Sequence, residues 1–287
     1  MEKTRNLTKK IVESSLMVAF ATVLSLLKLI EMPYGGSVTL ASMLPLVIVG
    51  YRHGVGTGLS AGLVYAVIQQ LLGLNNLSYV TGWQSVIAVI MLDYIVAFTV
   101  VGLGGIFRNK LTKLKLSASK NQGAEIATGM AFVCILRYLC HTVAGATVWA
   151  GLSIPTEAAL VYSIGYNATY MLPETIVSVL VGAWIGSVID FSKNTPTRFL
   201  PVRDESKESR GACEFLPHIA GAVAIFGVAF DTLLIAPHLQ DAESGEFTFA
   251  YLSEVNWILL AVVTALCVLT VIALSIASRI GKKQSFC

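Results

Sequence analysis

The chain predicts an all-α, polytopic membrane protein, and three observations carry that expectation. Of its 287 residues, 55% are hydrophobic and only 13% charged, about half the charged share of a soluble domain. Apolar runs recur along the whole chain, each long enough or nearly long enough to cross a bilayer; a β-barrel would show short alternating segments instead. Of the 20 Lys and Arg, all but Lys28 and Arg137 fall in alternate connections or at the helix ends that meet them. That bias marks the inner face of a membrane. Eight spans satisfy it, which implies a multi-pass protein of the cell membrane with both termini cytoplasmic.

Residues 1–10, MEKTRNLTKK, are basic and read as the inner N-terminus. The run Ile11–Ile30 lacks a small-residue cleavage site at its end and is expected to stay as the first helix. Ser15 and Ala19, followed by the bulkier Val23, place small residues four apart, as do Ala21 and Ser25. Such stripes let another helix approach closely, from this chain or from a partner. The link EMPYGGSVTL carries Pro33 and Gly35-Gly36 and reads as an outer turn. Its Tyr34 either covers a ligand or anchors at the interface.

A short second helix is expected over Thr39–Val49, then an inner turn at Arg52 and His53. The third helix, Val55–Leu72, has Gly56, Gly58 and Gly62 for close packing. The fourth, Trp83–Phe107, holds Asp93 and Tyr94 inside its apolar run. A basic inner loop with Arg108, Lys110, Lys113, Lys115 and Lys120 leads to the fifth helix, Gly123–Ala150. The sixth spans Ala158–Asp190, with a kink expected at Pro173. Residues 1–200 thus form a six-helix bundle and 201–212 a hydrophilic linker. Residues 213–287 add two helices, Cys213–Leu234 and Val255–Ala277, joined by an acidic outer loop.

The polar groups concentrate between Arg137 and Glu174. His141, Gly145 and Trp149 recur every four residues and share one helix face. Gly145 between an imidazole and an indole leaves a slot for a flat ring, or is simply a packing glycine. Tyr162 and Asn167 on the returning helix can reach the same region; an intramembrane Asn also commonly bonds helix to helix. Asp93 is costly in lipid unless paired, protonated or facing a cation. Arg137 is one candidate partner. Tyr94 lies about 100° around the helix from Asp93, and Trp83 and Tyr79 add aromatic surface. A carboxylate among aromatics suits an organic cation with aromatic rings. Arg137 and Glu174 read as an inner salt bridge or a coupling element.

Several classes find no support. There is no Walker A motif, no assembled Ser-His-Asp set, no metal-ligand run and no basic face for nucleic acid. The five Cys show no zinc or redox spacing. An enzyme, a metal and a cofactor are therefore not expected.

Four stretches carry a resemblance: GGSVTLASMLPLVIVGYRHGVGTGLSAGLVYAVIQQLLG, LDYIVAFTVVGLGG, RYLCHTVAGATVWA and YSIGYNATYMLPE. Over roughly residues 8–200 the chain resembles the ThiT family, the thiamine-specific substrate-binding subunits of energy-coupling factor (ECF) transporters. The resemblance implies a six-helix bundle with an outward-facing thiamine pocket. It implies ligand contacts from Asp93, where the family usually has Glu, and from Tyr94, Trp83, His141, Gly145, Trp149, Tyr162, Asn167 and the lid residue Tyr34. It also implies docking of the first helix, through Ser15, Ala19 and Val23, to a transmembrane coupling subunit served by two ATP-binding cassette ATPases. A self-sufficient secondary transporter of thiamine, a precursor or a related cation is the alternative, motivated by Asp93 and the two extra helices. The resemblance does not reach residues 213–287.

Overall fold

The computed structural model describes residues 2–32, 35–111, 117–150, 156–199, 216–241 and 247–283. Its chain divides into two compact units, the first comprising residues 1–197 with 240–248 and the second 198–239 with 249–287.

In the first unit α1 runs Glu2–Leu26. It therefore starts earlier and ends sooner than its apolar run. The residues after it turn into a small antiparallel hairpin, β1 (Lys28–Glu31) with β2 (Ser37–Thr39), pairing Ile30 with Val38 and Glu31 with Ser37. The hairpin is a correction to a purely helical reading. Helix α2 then spans Leu44–His53 rather than starting at Thr39, with Pro45 in its first turn, where no backbone N–H is needed.

Ten residues rise only about 15 Å, half a bilayer core. Yet every residue of α2 from Leu44 to Tyr51 is buried, so its apolar character reflects protein on all sides rather than lipid. It packs against α1, against α3 (Val55–Leu72) and against the last turns of α4 (Trp83–Phe107). Backbones meet at these crossings. A Cβ on Gly50 or Gly58 would strike the Gly102 carbonyl, and one on Gly105 would strike that of Gly50. Gly62 likewise faces the backbone of Phe98 and Thr99, whereas Gly56 has open space around it.

Helix α4 is not uniform. An α-helical start at Trp83–Val89 widens to a π-helical segment, Ile90–Val96, and tightens to a 3-10 segment, Val100–Phe107. The longest elements, α5 (Ala118–Thr147) and α6 (Ala159–Val188), pack on one another; α6 continues through Pro173 as one helix.

Side chains fasten the inner end of this unit. Gln122 on α5 donates to the carbonyls of Gly186 (2.7 Å) and Ile189 (2.5 Å) and accepts from the Phe191 amide (3.1 Å). The two carbonyls lie at the helix C-terminus, whose last C=O groups lack partners within the helix. Arg52 donates to both oxygens of Glu13 on α1 (2.7 and 3.1 Å). It also donates to the carbonyls of Phe191, Lys193 and Asn194 (2.9, 2.7 and 2.6 Å).

The second unit is built on two helices, α7 (Leu216–Ile235) and α8 (Trp257–Lys283). They pack on each other, with Cys267 beside Gly227 and the Thr264 hydroxyl donating to the Asp231 carboxylate (2.8 and 3.0 Å). Among the described residues six helices are long and apolar enough to cross a membrane: α3 to α6, the stretch Leu216–Leu239 and the stretch Trp257–Ser278. Helix α1, whose N-terminal half is charged, and the ten-residue α2 fall outside that set.

Candidate functional site

Within the first unit a cavity of about 640 Å³ opens among the hairpin, α3, α4, α5 and α6. Two helix stripes with the same spacing supply its walls. On α5 Arg137, His141 and Gly145 line it, continued by Trp149 just past the last helical residue. On α6 Tyr166, Tyr170 and Glu174 do the same, with Asn167 beside them. Side chains four apart lie on one face, so packing α5 on α6 brings both stripes to one space. The π-helical segment of α4 contributes Asp93 and Tyr94, which both line the cavity. The expectation that Tyr94 points elsewhere does not hold, since the cavity takes in both neighbours.

Two carboxylates sit in this cavity in different surroundings. Asp93 Oδ1 lies 2.8 Å from His141 Nδ1, and the Trp149 indole Nε1 donates to Asp93 Oδ2 at 2.8 Å. If Asp93 accepts this bond, His141 carries a proton on Nδ1. Among the described residues the buried Nε2 of His141 has no hydrogen-bond partner. Arg137, one candidate partner for Asp93, instead pairs with Glu174 (3.4 Å) and lies over the Phe98 ring, 4.6 Å from its centroid. Glu174 Oε1 also accepts from the Thr39 hydroxyl (2.6 Å). The expected salt bridge between them forms, and both members also line the cavity.

Aromatic rings connect these groups to the cavity mouth. His141 meets Tyr170 edge-on (centroids 6.4 Å apart), and Tyr170 meets Tyr166 (5.8 Å). The Tyr170 hydroxyl donates to Asn167 Oδ1 (2.6 Å), and Asn167 Nδ2 donates to the Ser163 carbonyl (2.9 Å). The Tyr166 hydroxyl donates to the Gly35 carbonyl in the hairpin turn (2.6 Å). Tyr94 accepts from Asn76 (3.0 Å) and donates to the Gly73 carbonyl (3.3 Å).

Of the residues singled out in the sequence, Asp93, Tyr94, His141, Gly145, Trp149 and Asn167 line one cavity. Trp83 does not; it is 69% exposed at the start of α4. Tyr162 is also absent from the lining and packs edge-on against Phe247 (6.3 Å). Tyr34 lies outside the described residues. On α1, Ser15 and Ala19 line a shallow apolar groove with Gly56 and Ser60 of α3, and Val23 is exposed nearby. Sequence reasoning missed Tyr166, Tyr170 and Thr39. The first two repeat with Glu174 at the same four-residue interval as the α5 stripe, a signal open to the same reasoning.

A family model described as "Thiamine transporter protein (Thia_YuaJ)" matches residues 11–190. The chain is 32% identical over 184 residues to the thiamine transporter ThiT of Bacillus subtilis (strain 168), covering 63% of this chain and 91% of that protein. It is 26% identical over 183 residues to ThiT of Lacticaseibacillus paracasei, covering 60% and 83%. A solved structure of ThiT from Listeria monocytogenes superposes with a TM-score of 0.52 at 23% identity, over 63% of this chain and 94% of that one. The family match ends before α7.

Proposed function

This chain belongs to the thiamine transporter protein family (Thia_YuaJ), and we propose that its cavity binds thiamine for import by an ECF-type, ATP-driven transporter. The membership makes it a multi-pass membrane transporter rather than an enzyme. The observation that carries the ligand reading is the Asp93 carboxylate, held by His141 and Trp149 inside an aromatic cavity. A thiazolium ring bears a fixed positive charge, and a carboxylate with aromatic faces attracts it by charge pairing and cation–π contact. The free His141 Nε2 accepts from the exocyclic amine of the aminopyrimidine ring. Gly145 leaves room for that ring, and Tyr94 and Asn167 complete the wall.

Ligand enters from outside past the hairpin turn, with both termini cytoplasmic in the cell membrane. The groove beside Ser15 and Ala19 receives the transmembrane coupling subunit, and two ATPases drive release inward.

Quenching of tryptophan fluorescence on titration with thiamine tests this. Removing one member of a buried charged set costs about 3–5 kcal/mol, so Asp93→Ala is expected to weaken binding by roughly two to three orders of magnitude. Unchanged affinity would sink the assignment. Proton-driven thiamine uptake by the chain alone in proteoliposomes, without ATP, would favour a secondary transporter instead.

A further inference from the structure

The segment between α7 and α8 takes part in the first unit. Residues 240–248 belong to that unit although both flanks belong to the second. Gln240 and Phe247 pair through an antiparallel bridge, which pins the two ends of the excursion to each other. Phe247 is 1% exposed. Its ring meets Tyr166 edge-on, with centroids 5.5 Å apart and planes at 84°, and meets Tyr162 at 6.3 Å and 86°.

Tyr166 is the residue whose hydroxyl holds the Gly35 carbonyl, and Gly35 and Gly36 line the cavity. Gly36 also lies close against the Tyr170 ring and Gly35 close to the Asn76 side chain. Gly35 and Gly36 have φ of 105° and 86°, and glycine there costs the most conformational entropy to order. The backbone bonds Met32 N to Gly36 O (3.0 Å) and Gly35 N to Met32 O (3.3 Å) close the turn on itself. They do not tie it to the bundle; among the described residues the Tyr166 hydroxyl bonds it to α6.

We propose that Phe247 is a positioning residue for the cavity mouth: by packing on the Tyr166 ring it keeps that hydroxyl on the Gly35 carbonyl and so holds the Gly35–Gly36 turn in the cavity wall. The C-terminal extension, which lies beyond the family match, thereby acquires a part in ligand retention. The retention role rests on the thiamine reading; the bracing itself does not. Bracing slows ligand escape rather than entry, because interface changes act mainly on dissociation.

The test compares wild type, Phe247→Ala, Tyr166→Phe and the double variant, all in the full chain. Hydrogen exchange at the amides of Gly35–Ser37 in ligand-free protein is expected to quicken in Phe247→Ala. Stopped-flow dissociation of thiamine should quicken by about two- to tenfold, the worth of one aromatic pair, with the association rate unchanged. The double variant should be no faster than Tyr166→Phe alone, since both substitutions break one chain of contacts. Phe247→Leu keeps apolar volume but loses the edge-on ring contact, so it should reproduce most of the effect, and it serves if the alanine variant misfolds. Additive effects in the double variant, or unaltered exchange at Gly35–Ser37 in folded Phe247→Ala or Phe247→Leu, would overturn the proposal. Should wild type fail to bind thiamine, the functional reading fails by itself, and the exchange arm still decides the brace.

Discussion

Asp93 and Glu174 face the same cavity, yet their surroundings assign them opposite work. Glu174 is 2% exposed and shares its charge with Arg137. The pair adds no net charge to the cavity, and loss of Glu174 leaves a buried cation uncompensated. Asp93 is held by His141 and an indole N–H, neither of which need carry a full positive charge. Its carboxylate stays available to a cationic guest. A membrane carboxylate is thus read by its partners rather than by its depth.

Three substitutions sharpen or break that contrast. The largest effect is expected from Glu174→Gln. Stranding Arg137 costs about 3–5 kcal/mol, seen as a lower unfolding midpoint in detergent, whereas Asp93→Ala should move that midpoint little. Equal destabilisation by both would dissolve the distinction. Next, Gly145→Leu places a branched side chain in the slot between His141 and Trp149. Thiamine binding should fall by about tenfold or more, with the cost of overpacking as a guide, and a retained affinity would remove Gly145 from the ligand face. Smallest of all, Trp83→Ala lies outside the cavity lining and should leave the affinity within about twofold, as surface changes usually do. A large loss would return Trp83 to the site.

The same contrast shows what the sequence could and could not convey. The α5 stripe was legible because its spacing lies within one helix. Tyr166, Tyr170 and Glu174 carried the same signal on α6. The pairing of Arg137 with Glu174 was not decidable from either stripe, since it depends on how two helices are registered against each other. Asp93 with Tyr94 misled because the angle between neighbours does not say how wide the cavity beside α4 is, and it takes in both. Trp83, ten residues before Asp93, sits roughly 80° around an ideal helix from it, so α-helical geometry alone argued against sharing a face. The hairpin hid in two very short strands whose pairing across Gly35-Gly36 exists only in three dimensions. For α2, an apolar run meant burial in protein, which composition alone does not distinguish from burial in lipid.

The grip of Arg52 and Gln122 on the chain after α6 bears on where this protein can be shortened. The family match stops at residue 190, but the groups these side chains hold extend to Phe191, Lys193 and Asn194. A truncation at the family boundary would strip Arg52 of its carbonyl acceptors and leave Gln122 only its bonds to Gly186 and Ile189. A minimal bundle must therefore keep this short polar hem, and its natural edge lies past the last residue that resembles its relatives.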